Sequence, residues 1–317
     1  MKKNLISILI LILAAGLLVG CSSNNKDAGP TIKNPNDPLK VGSMTDDEGR
    51  VLGSLVQIFL ENNGYKVESS VGTLAGNTVA RDALKQDQLN IAIDYSGRGL
   101  MFIKDVDISQ YQKDYETAFN TTKEADKENG IEWLTYAPYS NTDCIWVRRQ
   151  WAEENNVKTI EDLANYFKNG GEGLVSAPYE YILLSPLGFP GWEKAYGLEV
   201  EEGVNLVSGI TTDPAGALAR GDQGIIAAHG FTTSGYIEAY DFLILEDPQG
   251  VAPICSGSVV SNTKTIEKYP ELATLFNDLF ASIDRATITD LNKQLEVDGK
   301  SEQNIAEAYL KEKGFIK

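Results

Sequence analysis

Residues 91–99 read IAIDYSGRG. The apolar run Ile91-Ala92-Ile93 has the make-up of a buried strand, and it ends on Asp94 and Tyr95 before Gly97 and Gly99 punctuate the chain. Working outward, Thr78–Lys85 reads as a helix and Tyr65–Val71 as a strand. The segment before that carries Val51, Leu52, Leu55, Val56, Phe59 and Leu60 at spacings of three and four, which predicts a helix stopping at Asn63-Gly64. Thr45-Asp46-Asp47-Glu48 ahead of it fits a capping box, and Leu39–Ser43 reads as the first strand. The order β-α-β-α-β predicts an α/β fold with a parallel sheet and right-handed crossovers. Ligands of such sheets sit beyond the carboxyl ends of the strands. Ser43-Met44-Thr45 and Asp94-Tyr95-Ser96 therefore fall on a site-forming edge.

Further along, residues 108–129 read as a long polar helix and Ile131–Ala137 as a strand. The pattern then restarts with a strand at Asp143–Val147 and a helix capped by Thr159 and running to Lys168. Strands follow at 174–177, 224–228 and 242–245, with helices at 191–196 and 214–220 between them. After Val251-Ala252-Pro253 come helices near 267–283, 286–294 and 301–313. Two lobes fit this order: residues 39–137 with the return segment 251–317 as lobe 1, and residues 138–250 as an inserted lobe 2.

The N-terminus bears on location. Met1-Lys2-Lys3-Asn4 is a basic start, Leu5–Gly20 is apolar, and the stretch closes on Leu18-Val19-Gly20-Cys21, which resembles the lipobox of bacterial lipoproteins. The resemblance implies a signal peptide over residues 1–20 and a lipidated Cys21. Residues 21–38, rich in Ser, Asn and Pro, would be a flexible tether. The expected location is the extracytoplasmic face of the cell membrane, reached through a lipid anchor.

The chain has 317 residues, 42% of them hydrophobic and 23% charged, which is globular composition. A net charge of −17 argues against nucleic acid as a partner. A single histidine, His229, excludes a histidine-based metal cluster, and no phosphate-binding glycine loop or nucleophile elbow occurs. We therefore expect no enzyme, cofactor or metal. His229, after the apolar run Ile225–Ala228, suits either a structural hydrogen bond or a pocket wall. Tyr95, Tyr139, Tyr179, Tyr181, Trp192, Phe231 and Tyr236 all fall at the ends of expected elements. Ring faces gathered there could cage a cation that has no proton to donate.

Several landmarks then align in order: Val41-Gly42-Ser43, Asn62-Asn63-Gly64-Tyr65, Asp94-Tyr95-Ser96-Gly97, Asn141-Thr142, Pro190-Gly191 with Tyr196-Gly197-Leu198, Ala239-Tyr240-Asp241 with Leu245-Glu246-Asp247, and Leu291-Asn292. With them the chain resembles the substrate-binding lipoproteins of osmoprotectant ABC importers, the glycine betaine/choline/carnitine-binding family. The resemblance implies a two-lobed type II periplasmic-binding-protein fold, acting as a monomer, that closes on a small ligand and delivers it to a permease. Tyr95 stands where the family has a cage tyrosine, and Asn141 at its polar pocket position. Departures are Asp143 for a second cage tyrosine, Phe231 for another aromatic, Ile254 for a tyrosine and Arg98 for a small hydroxyl residue. A family arginine would fall near Ser185.

The expected ligand contacts are Tyr95, Asn141, Asp143, Phe231 and Arg98, with Thr45, Thr78 and Glu180 from nearby loops. Asp143 could accept from an ammonium with protons and Arg98 could grip a carboxylate, or the two could pair across the cleft. A proton-bearing amine or amino acid is thus an alternative to a quaternary ammonium. A ligand-sensing lipoprotein without transport, or an enzyme on this scaffold, are rival functions. In the implied fold, the segments bearing Cys144 and Cys255 run side by side through the hinge, so a disulfide between them is conceivable beside two buried free thiols.

Overall fold

Strand β1 (Leu39–Met44) leads directly into a helix over Asp47–Asn62, whose Val51, Leu52, Leu55, Val56, Phe59 and Leu60 are buried. Asn63 caps its end and Gly64 turns the chain at φ +84°. The start differs from expectation. Asp46, not Thr45, is the cap, its side chain accepting from the Gly49 amide at 2.8 Å. Glu48 does not reach back to the cap; it is buried and used elsewhere. A capping box does form at Thr159 with Asp162, as expected.

Strands β2 (Val67–Leu74) and β3 (Ile91–Tyr95) both run parallel to β1, and a helix over Asn77–Lys85 lies between them. All five residues of β3 are buried, as befits a strand covered on both faces. The expected long helix over 108–129 is three pieces: a short turn at Ile108–Gln112, a helix over Tyr115–Asp126 and a turn at Lys127–Asn129. Asp107 and Asp114 each cap a separate start, so the chain breaks between them. Strand β4 (Ile131–Tyr136) follows.

The second sheet contains β5 (Asp143–Arg148), β6 (Leu174–Ala177), β7 (Leu206–Ser208), β8 (Ile225–Phe231) and β9 (Phe242–Ile244), in the order β7-β6-β8-β5-β9. Strand β5 runs antiparallel to β8, with Asp143 opposite Phe231 and Ile145 opposite His229. The chain then returns as β10 (Gly257–Asn262), inserted antiparallel between β3 and β4 to give the order β2-β1-β3-β10-β4. The sequence reading did not anticipate β10, so the first sheet is mixed rather than wholly parallel. The region expected as one helix over 267–283 is broken around Pro270 into Thr263–Lys268, Leu272–Leu275 and Asn277–Ala281. The final helix, Glu302–Glu312, buries Ile305, Ala306, Tyr309 and Leu310 in the core that also holds Leu52 and Leu55.

This computed structural model describes residues 33–34, 36–103, 107–183, 187–208 and 213–317. The leader, Cys21, most of the tether and Ser185 lie outside the described residues, as does the side chain of Glu180. No helix among the described residues is long and apolar enough to cross a membrane.

The two segments joining the sheets do run side by side. Ala137 N bonds Gly257 O at 2.9 Å, Asn141 N bonds Cys255 O at 2.8 Å, and Ser256 Oγ donates to Tyr139 O at 2.9 Å. Cys144 and Cys255 are nonetheless free and buried, without a disulfide. Cys144 packs with Trp146 and Phe242 in the second sheet's core, whereas Cys255 belongs to the core of the first.

Asp94 proves to be structural. It accepts from Arg81 Nη1 at 3.3 Å, Asn77 Nδ2 at 2.6 Å and the Tyr95 amide at 2.7 Å. Arg81 Nη2 also pairs with Asp126, which accepts from Trp133 Nε1 at 2.8 Å. Burial works to lower the Arg81 guanidinium, but the two carboxylates outweigh it and raise the value. One cation therefore holds two acids beneath the end of β3. Arg81→Met should remove about 3–5 kcal/mol of stability, because two buried carboxylates lose their partner. Urea unfolding measures it, and a loss within about 0.5 kcal/mol would show the triad to be dispensable.

Candidate functional site

At the carboxyl ends of β1 and β3 lies a cavity of about 690 Å³ between the two sheets. The first sheet's side contributes Thr45, Asp46, Glu48, Tyr95 and Arg98, together with Asn292 and Glu296 from the helix over Arg285–Glu296. From the second come Tyr181, Phe231, Thr233 and Ser234, and Asn141 lies on a joining segment.

Two groups of side chains bridge the lobes. In the first, Arg98 Nη2 donates to Tyr181 Oη at 3.0 Å and reaches Asp143 Oδ1 at 3.4 Å, while His229 Nε2 lies 3.1 Å from the same Asp143 oxygen. Burial works to raise the Asp143 carboxyl, but the His229 hydrogen bond and the Arg98 charge outweigh it and hold the value below the usual range. Arg98 stays charged: burial opposes it, and Asp143 overcomes the burial. The Tyr181 ring stacks on His229 at 3.9 Å and meets Phe231 nearly edge-on at 6.3 Å. The cluster thus fixes Tyr181 and Phe231 as walls. Both guanidinium contacts use Nη2.

In the second group, Glu48 accepts from Tyr139 Oη at 2.7 Å, Thr233 Oγ1 at 2.7 Å and Asn292 Nδ2 at 3.0 Å. Glu296 accepts from Ser234 Oγ at 2.9 Å and the Gly235 amide at 2.6 Å. Burial raises both carboxyls, that of Glu296 to about 7. Gly235 is required here, since a Cβ would lie 2.3 Å from the Lys293 Cα. Asn141 Oδ1 and Asn292 Oδ1 are buried without a hydrogen-bond partner among the described residues.

Of the expected contacts, Tyr95, Arg98, Asn141, Phe231 and Thr45 line one cavity. Asp143 does not line it. It is buried behind Arg98, and the pairing across the cleft is the arrangement that forms. Thr78 is exposed and outside the lining, where its neighbour Asn77 stands instead. His229 takes the structural role, and Ile254 is absent from the lining. Lining residues outside the expected contacts include Asp46, Glu48, Tyr181, Thr233, Ser234, Asn292 and Glu296. Glu48 was absorbed into an expected capping box and Tyr181 was one aromatic among seven. Glu296 gave no signal.

The geometry has close relatives. The family model for the substrate-binding domain of ABC-type glycine betaine transport systems matches residues 37–312. The glycine betaine-binding protein YehZ of Escherichia coli (strain K12) is 34% identical over 283 residues, 88% of this chain and 92% of that protein. The apo structure of YehZ superposes with a TM-score of 0.68, covering 88% of this chain and 99% of the other. The structure of a glycine betaine/carnitine/choline ABC transporter protein, 22% identical, gives 0.71 over 87% and 99% and shares the two-lobed fold. Sequence, fold and cleft agree: this chain belongs to the family of substrate-binding domains of ABC-type glycine betaine transport systems.

Proposed function

We propose that the cleft captures a small quaternary ammonium compound of the glycine betaine/choline class and closes on it, so that an ABC permease can take it up. The observation that carries this reading is the cavity wall itself, where Tyr95, Tyr181 and Phe231 stand with Arg98 and several carboxylates. Ring faces attract a methylated ammonium through their quadrupole, and Arg98 retains Nη1 and Nε for a carboxylate. Asp143 is already engaged by Arg98 and His229, which counts against the alternative of a proton-bearing amine. Membership of β1–β4 and the returning β10 in one sheet supports the division into residues 39–137 plus 251–317 and residues 138–250. Closure would be a rotation about the paired joining segments. We take the ligand to leave unchanged, without turnover.

Calorimetric titration of the protein in detergent should show binding of glycine betaine or choline, with the ligand recovered intact. Tyr181→Ala should weaken it about 2- to 30-fold, the range of a cation–π contact from exposed to desolvated. Binding of a primary amine or free amino acid but of no quaternary compound would overturn the reading. Anchoring through Cys21 is part of the proposal: Cys21→Ala should move the protein from the membrane fraction to the soluble one, and unchanged fractionation would refute it.

A further inference from the structure

Glu48 and Glu296 stand on different helices, both line the cavity, and both hold the loop after β8. Among the described residues the donors that hold them are neutral, a phenol, two hydroxyls, a side-chain amide and a backbone amide among them. The charged groups around them are spoken for or of the wrong sign. Asp46 lies near Glu48 and Asp47 near Glu296. Arg50 pairs with Asp47 and Glu302, Lys293 with Glu238 at 3.2 Å, and Arg98 with Asp143. Arg285 donates to the Thr232 carbonyl. The phenols of Tyr95 and Tyr139, beside Glu48, are held well above their usual value by burial and by that carboxylate. Among the described residues no cation lies within 4.0 Å of either carboxylate.

A buried carboxylate with only dipoles for company is costly in its ionised form and is relieved by a counter-charge. We propose that Glu48 and Glu296 are the counter-charge for the ligand's cationic head group, and that the ligand displaces a proton held by this pair into the solvent. The inference rests on the reading that the cleft takes a quaternary ammonium compound, and adds which residues read its charge. It differs from a purely structural role, because a neutral glutamine could hold the loop equally well.

The pH dependence follows from the raised values. Glu296 titrates near 7 in the fold against 4.5 in its absence. Its contribution to stability is complete below the lower value and is lost as pH rises through the upper one. A cation restores that loss, so binding tightens as pH rises from 6 to 8, by about tenfold if one proton is displaced. Isothermal titration with choline and with its uncharged isostere 3,3-dimethylbutan-1-ol, in buffers of differing ionisation enthalpy, tests the proposal. Native protein should release a substantial fraction of a proton at pH 7 and prefer choline by about tenfold or more.

Glu296→Gln should flatten the pH profile, abolish proton release and shrink the preference, while melting at pH 8 no lower than the native protein. Glu48→Gln, on the other helix, should shrink the preference independently. If both variants keep the native proton release and preference, the inference fails while the cleft reading stands. If the native protein binds no quaternary ammonium at all, both fall together.

Discussion

A chain that enters a second lobe and returns must lay two backbone segments side by side, and the rest of this molecule depends on how that is done. Ala137–Asn141 and Cys255–Gly257 satisfy one another's amides and carbonyls. The approach is close enough that a Cβ on Gly257 would lie 2.4 Å from the Tyr139 hydroxyl oxygen, and one on Gly97 2.4 Å from the Cys255 Sγ. Gly97 in SGRG is therefore a packing requirement of the hinge. The same pairing delivers β10 into the first sheet and aims Asn141 at the cavity.

Seen from that constraint, IAIDYSGRG divides its labour between neighbours. Asp94 faces Arg81 and Asn77 and secures the strand end, whereas Tyr95 lines the cavity. Arg98 reaches across to Asp143 and Tyr181 in the other lobe. Its charge is compensated before any ligand enters, and its main structural effect is to position a ring. The polar contacts that span the cleft are directional, Glu48 to Thr233 and Glu296 to Ser234 among them, and a closure that reopens must break and remake such contacts.

Legibility in the sequence followed the strength of local signals. The first β-α-β-α-β run was readable because the periodicity of its first helix and the apolar run of β3 are strong local signals. Strand β10 was not, since GSVVSN is short and half polar, and its place is set by tertiary contacts such as Ser261 Oγ to the Asn90 carbonyl at 2.7 Å. The 108–129 segment reads as one long polar helix, but Asp107 and Asp114 each cap a separate start, and those local side-chain bonds break it. In the site, aromatic and charged residues at strand ends could be seen in advance. Glu48 could not, because TDDE at a helix start explains itself locally, and Glu296 ends a helix that lies more than fifty residues after the other lobe's lining residues.

The central claim is that two lobes hinge about the paired segments and close on a ligand in the cleft. Spin labels on exposed positions of the two lobes, at Gln88→Cys and Glu154→Cys, would report it by electron–electron resonance, with native Cys144 and Cys255 buried. Saturating choline or glycine betaine should shift the inter-lobe distances to one narrower population. A distribution unchanged by a ligand shown to be bound would contradict the account.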